Sequence, residues 1–222
     1  LHVGIIYLFA VSVLGFAFRG KRWRWVSFML VLMVLWFYAA ITGFSPSVLR
    51  AATMFSFIAL GKYHSHRLNV YNMLFASAFF LLMIDPFLLG QVGFQLSYLA
   101  VLGIVYLHPK IYGLLYTSNW VLDKVWSLLV VSFCAQLATF PLSVHYFNQF
   151  PSYFFVTNLL VIPLAWVILH AGILWLLTFA IPVLGDVFAH IAYGAAYVLN
   201  EVVMWITTWP GAVVERIFFT GY

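Results

Sequence analysis

The sequence predicts an all-α integral membrane protein, a polytopic bundle of about 7–9 transmembrane helices with at least one broken at a proline. Three observations predict it. Of the 222 residues, 66% are hydrophobic and only 7% charged, against about 45–50% and about 25% in a typical soluble domain. The apolar residues come in continuous runs, whereas a membrane-barrel strand would alternate over about 10 residues. The basic residues cluster in alternate connections between those runs. Ten Lys and Arg with five Asp and Glu could not solvate the surface of a soluble fold of this size. That excludes a water-soluble globular domain, a disordered chain and a soluble nucleic-acid-binding module.

A helix needs roughly 20 mostly apolar residues to cross about 30 Å of hydrocarbon. Eight runs qualify as candidate spans. Leu1–Phe18 and Trp25–Thr42 flank a basic connection with Arg19, Lys21, Arg22 and Arg24. Pro46–Gly61 follows the uncharged Gly43–Ser45 and is followed by Lys62 and Arg67. Val70–Pro86 ends at Asp85-Pro86, a turn-opening pair. Gln91–His108 is followed by Lys110 and Lys124, and Lys124–Pro141 by Leu142–Ser152, which holds no Lys or Arg. All eight of these cations fall on one face, which the positive-inside rule makes cytoplasmic. Tyr153–Ile181 contains Pro163 and would stretch about 43 Å as one helix. It is therefore a kinked span, an interfacial piece leading into a span, or two short spans that invert the orientation of the last run. Val187–Trp209 is that last run.

Trp23, Trp25, Trp120, Trp126, Trp205 and Trp209 flank the connections as an aromatic belt. Trp36, Trp166 and Trp175 lie deeper and are assigned to packing. Pro109–Asp123 is long enough for an interfacial helix carrying Tyr112, Tyr116 and Trp120. Cys134 stands alone, so no internal disulfide or thiolate cluster is expected. Position 1 is Leu1 with no basic n-region, so the 222 residues read as one membrane domain, a fragment of a longer protein.

Inside a bilayer every unsatisfied polar group costs several kcal/mol, so each needs a reason. Arg50 lies about 6 Å below the outer end of the third span. It is either a snorkelling side chain or a fixed positive charge facing an aqueous path, with Ser47 and Thr53 on the same broad arc. Glu201, well inside the last span, could pair with it. Asp85 is the rival partner, and its other role is to cap the turn at Pro86. Gln91, Gln95 and Tyr98 share one helical face, and Ser132, Gln136, Thr139 and Ser143 make a polar stripe that ends next to Pro141. Such stripes glue helices together or line a hydrophilic passage. Asn158 and Pro163 put an amide and a helix breaker at membrane depth. His64 and His66 sit in a basic loop with no nearby carboxylate, and His2, His170 and His190 are isolated. No metal, cofactor or nucleophile–base pair is expected. A channel for a polar or anionic solute, a small-solute secondary transporter and a membrane scaffold all remain compatible with these residues.

The opening Leu1-His2-Val3-Gly4, the run Gly43-Phe44-Ser45-Pro46-Ser47-Val48-Leu49-Arg50-Ala51 and Asp85-Pro86 resemble the transmembrane competence domain of the ComEC family. So do Gly93-Phe94-Gln95-Leu96-Ser97, Gln136 with Thr139-Phe140-Pro141, and Asn158-Leu159-Leu160 with Pro163-Leu164. The matches occur in family order from Leu1 to about Leu164. The resemblance implies a multi-pass bacterial inner-membrane channel that passes single-stranded transforming DNA into the cytoplasm during natural competence. It implies a DNA receptor and a cytoplasmic motor as partners, with one chain or a homodimer making the passage. Nuclease and OB-like domains of the family lie outside these residues, so no enzyme activity is expected of the segment. On that resemblance Arg50, Gln95, Tyr98, Gln136, Thr139 and Asn158 line the strand's path. His2, Asp85, Pro86, Pro141, Pro163 and Glu201 would be structural or gating residues.

Overall fold

The computed structural model describes residues 2–17, 24–63, 69–116 and 118–215. Arg19, Lys21, Arg22, Trp23, His64, His66 and Arg67 lie outside the described residues, so most of the basic-loop reading does too. Eight α-helices are found among the described residues: α1 (His2–Ala17), α2 (Arg24–Ile41), α3 (Pro46–Tyr63), α4 (Val70–Ile84), α5 (Val92–Tyr112), α6 (Trp120–Phe147), α7 (Phe154–Thr178) and α8 (Pro182–Thr207). A 3-10 turn, Pro86–Gly90, joins α4 to α5. Two short strands, β1 (Gln149–Pro151) and β2 (Val213–Glu215), complete the chain. Four helical stretches are long and apolar enough to cross a membrane: Val92–Tyr112, Trp120–Phe147, Phe154–Thr178 and Val183–Thr207. Four others are apolar but shorter. The protein is an all-helical membrane type apart from its strands.

The chain divides into two units, Leu1–Val105 and Tyr106–Tyr222. In the first, α1, α2 and α3 pack on one another around Val3, Tyr7, Ala10, Phe28, Val31, Leu35 and Ala59. Alanine recurs where the helices meet, and the Tyr7 ring stacks on Phe55 at 4.8 Å. Close approach through small residues is how apolar helices associate where lipid removes the hydrophobic drive. The α2–α3 turn is closed by two left-handed residues, Gly43 (φ 65°) and Phe44 (φ 52°). Phe44 N–H donates to Ala39 and Gly43 N–H to Ala40, at 2.8 and 3.0 Å. These two bonds satisfy carbonyls that the end of α2 would leave open. A second core joins Leu74 and Leu81 of α4 to Phe94 and Tyr98 of α5.

In the second unit α7 and α8 pack along each other, and α6 packs on α7. Large apolar side chains such as Leu176, Leu177, Val183 and Tyr193 face outward, as a lipid-contacting surface requires. Trp166 and Trp175, expected in packing, are 53% and 44% exposed and belong with that outer surface.

Several expectations from the sequence are corrected. The break at Pro163 is not found: α7 runs through it as one helix of 25 residues. A proline removes a single N–H bond, and the apolar turns on either side continue the helix. This also removes the option of two short spans. Pro141 does not end α6, which runs 28 residues to Phe147. There Asn148 adopts φ 51° and donates its N–H to Val144 at 2.9 Å, a left-handed stop that asparagine tolerates. Among the described residues no interfacial helix fills the connection between α5 and α6, because α5 extends to Tyr112 and α6 starts at Trp120. Lys110 and Lys124 are consequently on helix ends rather than in a loop, and Lys110 Nζ lies 3.5 Å from the centre of the Tyr106 ring. The strands were not expected. β1 pairs antiparallel with β2, Phe150 opposite Val214, so the α6–α7 connection is tied to the chain beyond α8. Tyr153 reinforces the tie by donating to the Pro210 carbonyl at 3.0 Å.

Candidate functional site

Among the described residues the first unit places one buried charge. Ser45 starts α3 by accepting from the N–H groups of Val48 and Leu49, both at 2.9 Å. One turn later the helix carries Arg50 inward, where it is 8% exposed. Its Nε is buried with no hydrogen-bond partner among the described residues. The terminal nitrogens reach the first turn of α5: a Cβ on Gly93 would stand 3.3 Å from Nη2 and 3.6 Å from Nη1. Gly93 leaves this approach open, and a Cβ there would press on the guanidinium until it shifted by a few tenths of an ångström. Arg50 borders a cavity of about 410 Å³ with Pro46, Thr53, Asp85, Leu88 and Gln91. It also borders a second cavity of about 590 Å³ with Tyr7, Ser47, Phe55 and Ser97. The arginine is thus held deep in this unit between two spaces.

Asp85 lies on the first cavity but is committed elsewhere. Its backbone N–H closes α4 on Leu81 at 2.9 Å, and its carboxylate accepts from Phe87 N–H at 3.0 Å. With Pro86 at the head, this carboxylate starts the 3-10 turn. Asp85→Ala should lower stability by about 1 kcal/mol through loss of that cap, and Asp85→Asn should not. Thermal unfolding of the detergent-purified protein reads the difference. Gln95 also serves this turn, since its Nε2 donates to the Leu89 carbonyl at 2.8 Å.

Tyr98 is buried, and its hydroxyl meets Ser77 Oγ at 3.1 Å. Ser77 in turn donates to the Leu74 carbonyl at 2.7 Å. This is an interhelical bond between α4 and α5 of the kind that holds membrane helices together. Sequence reasoning missed Ser77, a single serine in an apolar run, and missed what Gly93 does. Tyr98 still lies near enough to Arg50 for the two to interact electrostatically.

The other sequence-predicted residues belong to the second unit. Gln136 borders a cavity of about 300 Å³ that is otherwise aromatic and aliphatic, with Phe133, Phe140, Phe150 and Phe154. Thr139 Oγ1 donates to the Ala135 carbonyl of its own helix at 2.8 Å. Asn158 is half-buried on α7, and Glu201 is exposed on α8. Pro141 and Pro163 are exposed positions inside helices. His2 begins α1. Arg50, Gln95, Tyr98 and Asp85 with Pro86 therefore gather in one unit, and Gln136, Thr139, Asn158 and Glu201 fall in the other.

The family model described as "Competence protein" matches residues 1–220. The "ComE operon protein 3" of Bacillus subtilis (strain 168) is 32% identical over 165 residues, which make up 73% of this chain and 20% of that protein. The chain thus matches about a fifth of that relative's length. No solved structure matches it.

Proposed function

Because this chain belongs to the competence protein family, that of ComEC, we propose that it forms the membrane part of a channel admitting single-stranded transforming DNA to the cytoplasm. The observation that carries this reading is Arg50, a buried guanidinium without an ion-pair partner among the described residues, set beside open space. An unpaired charge is costly in a membrane domain and is retained where it meets a ligand or a path. A conduit that works on any sequence needs cations for phosphates and walls that accept every base. Arg50 supplies the cation, with Gln95 as a polar group in the same unit, and Gln136, Thr139 and Asn158 supply polar groups in the other.

All eight helices span the inner membrane in this reading, the four shorter ones by local thinning of the bilayer. The basic connections face the cytoplasm. A DNA receptor delivers the strand, and a cytoplasmic motor supplies the pull that one arginine cannot. One chain or a homodimer encloses the passage. No catalytic step is assigned to residues 1–222.

The Ser77–Tyr98 bond favours a second reading, a scaffold whose polar groups only join helices. Cysteine labelling decides between them. In full-length protein whose other cysteines, Cys134 included, are replaced, Gln95→Cys, Gln136→Cys and Thr139→Cys should each react with a membrane-impermeant thiol reagent. A DNA strand stalled during uptake should protect them. If none reacts from water while uptake continues, the residues are helix glue and the channel reading of these faces fails.

A further inference from the structure

We propose that Arg50 and the first turn of α5 form a binding site for one phosphodiester group, a proposal that rests on reading Arg50 as part of the strand's path. Three features of the first unit converge on it.

The first is the helix end itself. α5 is 21 residues long, and the N-terminus of such a helix carries about half a positive charge and open N–H groups. Phe94 and Gln95 N–H both turn to the Gln91 carbonyl, at 3.0 and 3.1 Å. Neither Val92 nor Gly93 N–H donates to a backbone carbonyl among the described residues.

The second is the guanidinium placed against that end. A cation and a helix N-terminus repel each other unless an anion lies between them. Arg50 nonetheless sits there, more than nine-tenths buried, with Nε unpartnered, and Gly93 leaves the room its fork requires. The planar fork and the backbone N–H groups suit two oxygens of one tetrahedral oxyanion.

The third is Thr53, three residues along α3, which borders the same cavity. It is 1% exposed, and its Oγ1 has no hydrogen-bond partner among the described residues. It is a further donor to an anion held there.

Asp85 sets the limit of the site. Its carboxylate lines the same cavity, accepts from Phe87 N–H and forms no ion pair with Arg50. Its negative charge opposes a dianion and weakens the hold on a monoanion. The site therefore selects the single charge of a phosphodiester over a terminal phosphate, and it lets that group go again.

The test uses the full-length protein in phosphatidylcholine nanodiscs, with fluorescently labelled tetrathymidylate as probe and polarisation as readout. Arg50→Gln should weaken binding about tenfold or more, as loss of a charge-assisted fork predicts. Arg50→Lys should restore it only in part, and Asp85→Asn should tighten it. The uncharged methylphosphonate tetramer should bind as weakly to wild type as the phosphodiester binds to Arg50→Gln. Equal binding by wild type and Arg50→Gln, or by the two backbones, overturns the site. Displacement of the probe by phosphatidylglycerol in wild type but not in Arg50→Gln makes the occupant a lipid headgroup and overturns the strand assignment. If Arg50→Gln blocks DNA entry in cells but leaves probe binding intact, this site fails and the channel reading stands. If probe binding depends on Arg50 while DNA enters Arg50→Gln cells normally, the site stands and Arg50 leaves the path.

Discussion

Replacing Arg50 by Gln in the full-length gene should leave DNA bound at the cell surface but stop its entry into a nuclease-protected state. Loss of the guanidinium that would meet a strand phosphate is expected to cost about 2 kcal/mol or more, so transformation should fall by about 30-fold or more. The same change should not weaken the fold. A buried guanidinium without an ion-pair partner is a burden on the folded state, and a shorter neutral side chain relieves it. The purified Arg50→Gln protein is therefore expected to unfold at or above the wild-type temperature. A structural arginine would show the opposite pairing, with stability and membrane level falling together. Unchanged DNA entry at normal membrane levels would remove Arg50 from the strand's route.

The second large effect concerns the α4–α5 contact. Ser77 is fully buried, bonded to the Leu74 carbonyl and to the Tyr98 hydroxyl. Ser77→Leu forces a larger side chain between the helices, at about 1–3 kcal/mol, and strands the Tyr98 hydroxyl, at about 1–3 kcal/mol more. Ser77→Ala strands the same hydroxyl but forces no extra volume between the helices, so it should lose about 1–3 kcal/mol and stay more stable than Ser77→Leu. Denaturation of the purified protein in mixed detergent micelles measures both. Equal losses for the two variants would mean that α4 and α5 do not meet at this serine.

The helices were legible in the sequence because a membrane demands long apolar runs, and most of them begin within a few residues of where the runs do. α6 is the lesson in the other direction. Its ends at Trp120 and Phe147 lie beyond the run Lys124–Pro141, because a charge and a proline mark hydropathy and not helix ends. Pro109 and Pro163 behave like Pro141, each costing one bond inside a helix that neighbouring turns sustain. Asp85 could be anticipated because its capping partner is two residues away. Ser77 could not, since its partner Tyr98 lies on another helix. Gly93 was visible as a letter in a motif, but its use depends on Arg50 arriving beside it. The strands escaped because three residues carry no periodicity that a short connection would not.

That ribbon also imposes an order on the making of the protein. β1 precedes α7 and β2 comes after α8, so the strands cannot pair until both helices have been synthesised. Closing so long a loop before its helices are docked carries an entropic cost that two short strands cannot offset. α7 and α8 therefore settle against each other first, and the ribbon acts as a latch set last. A ribosome halted before Val213 would leave an α7–α8 hairpin that is formed but not fastened.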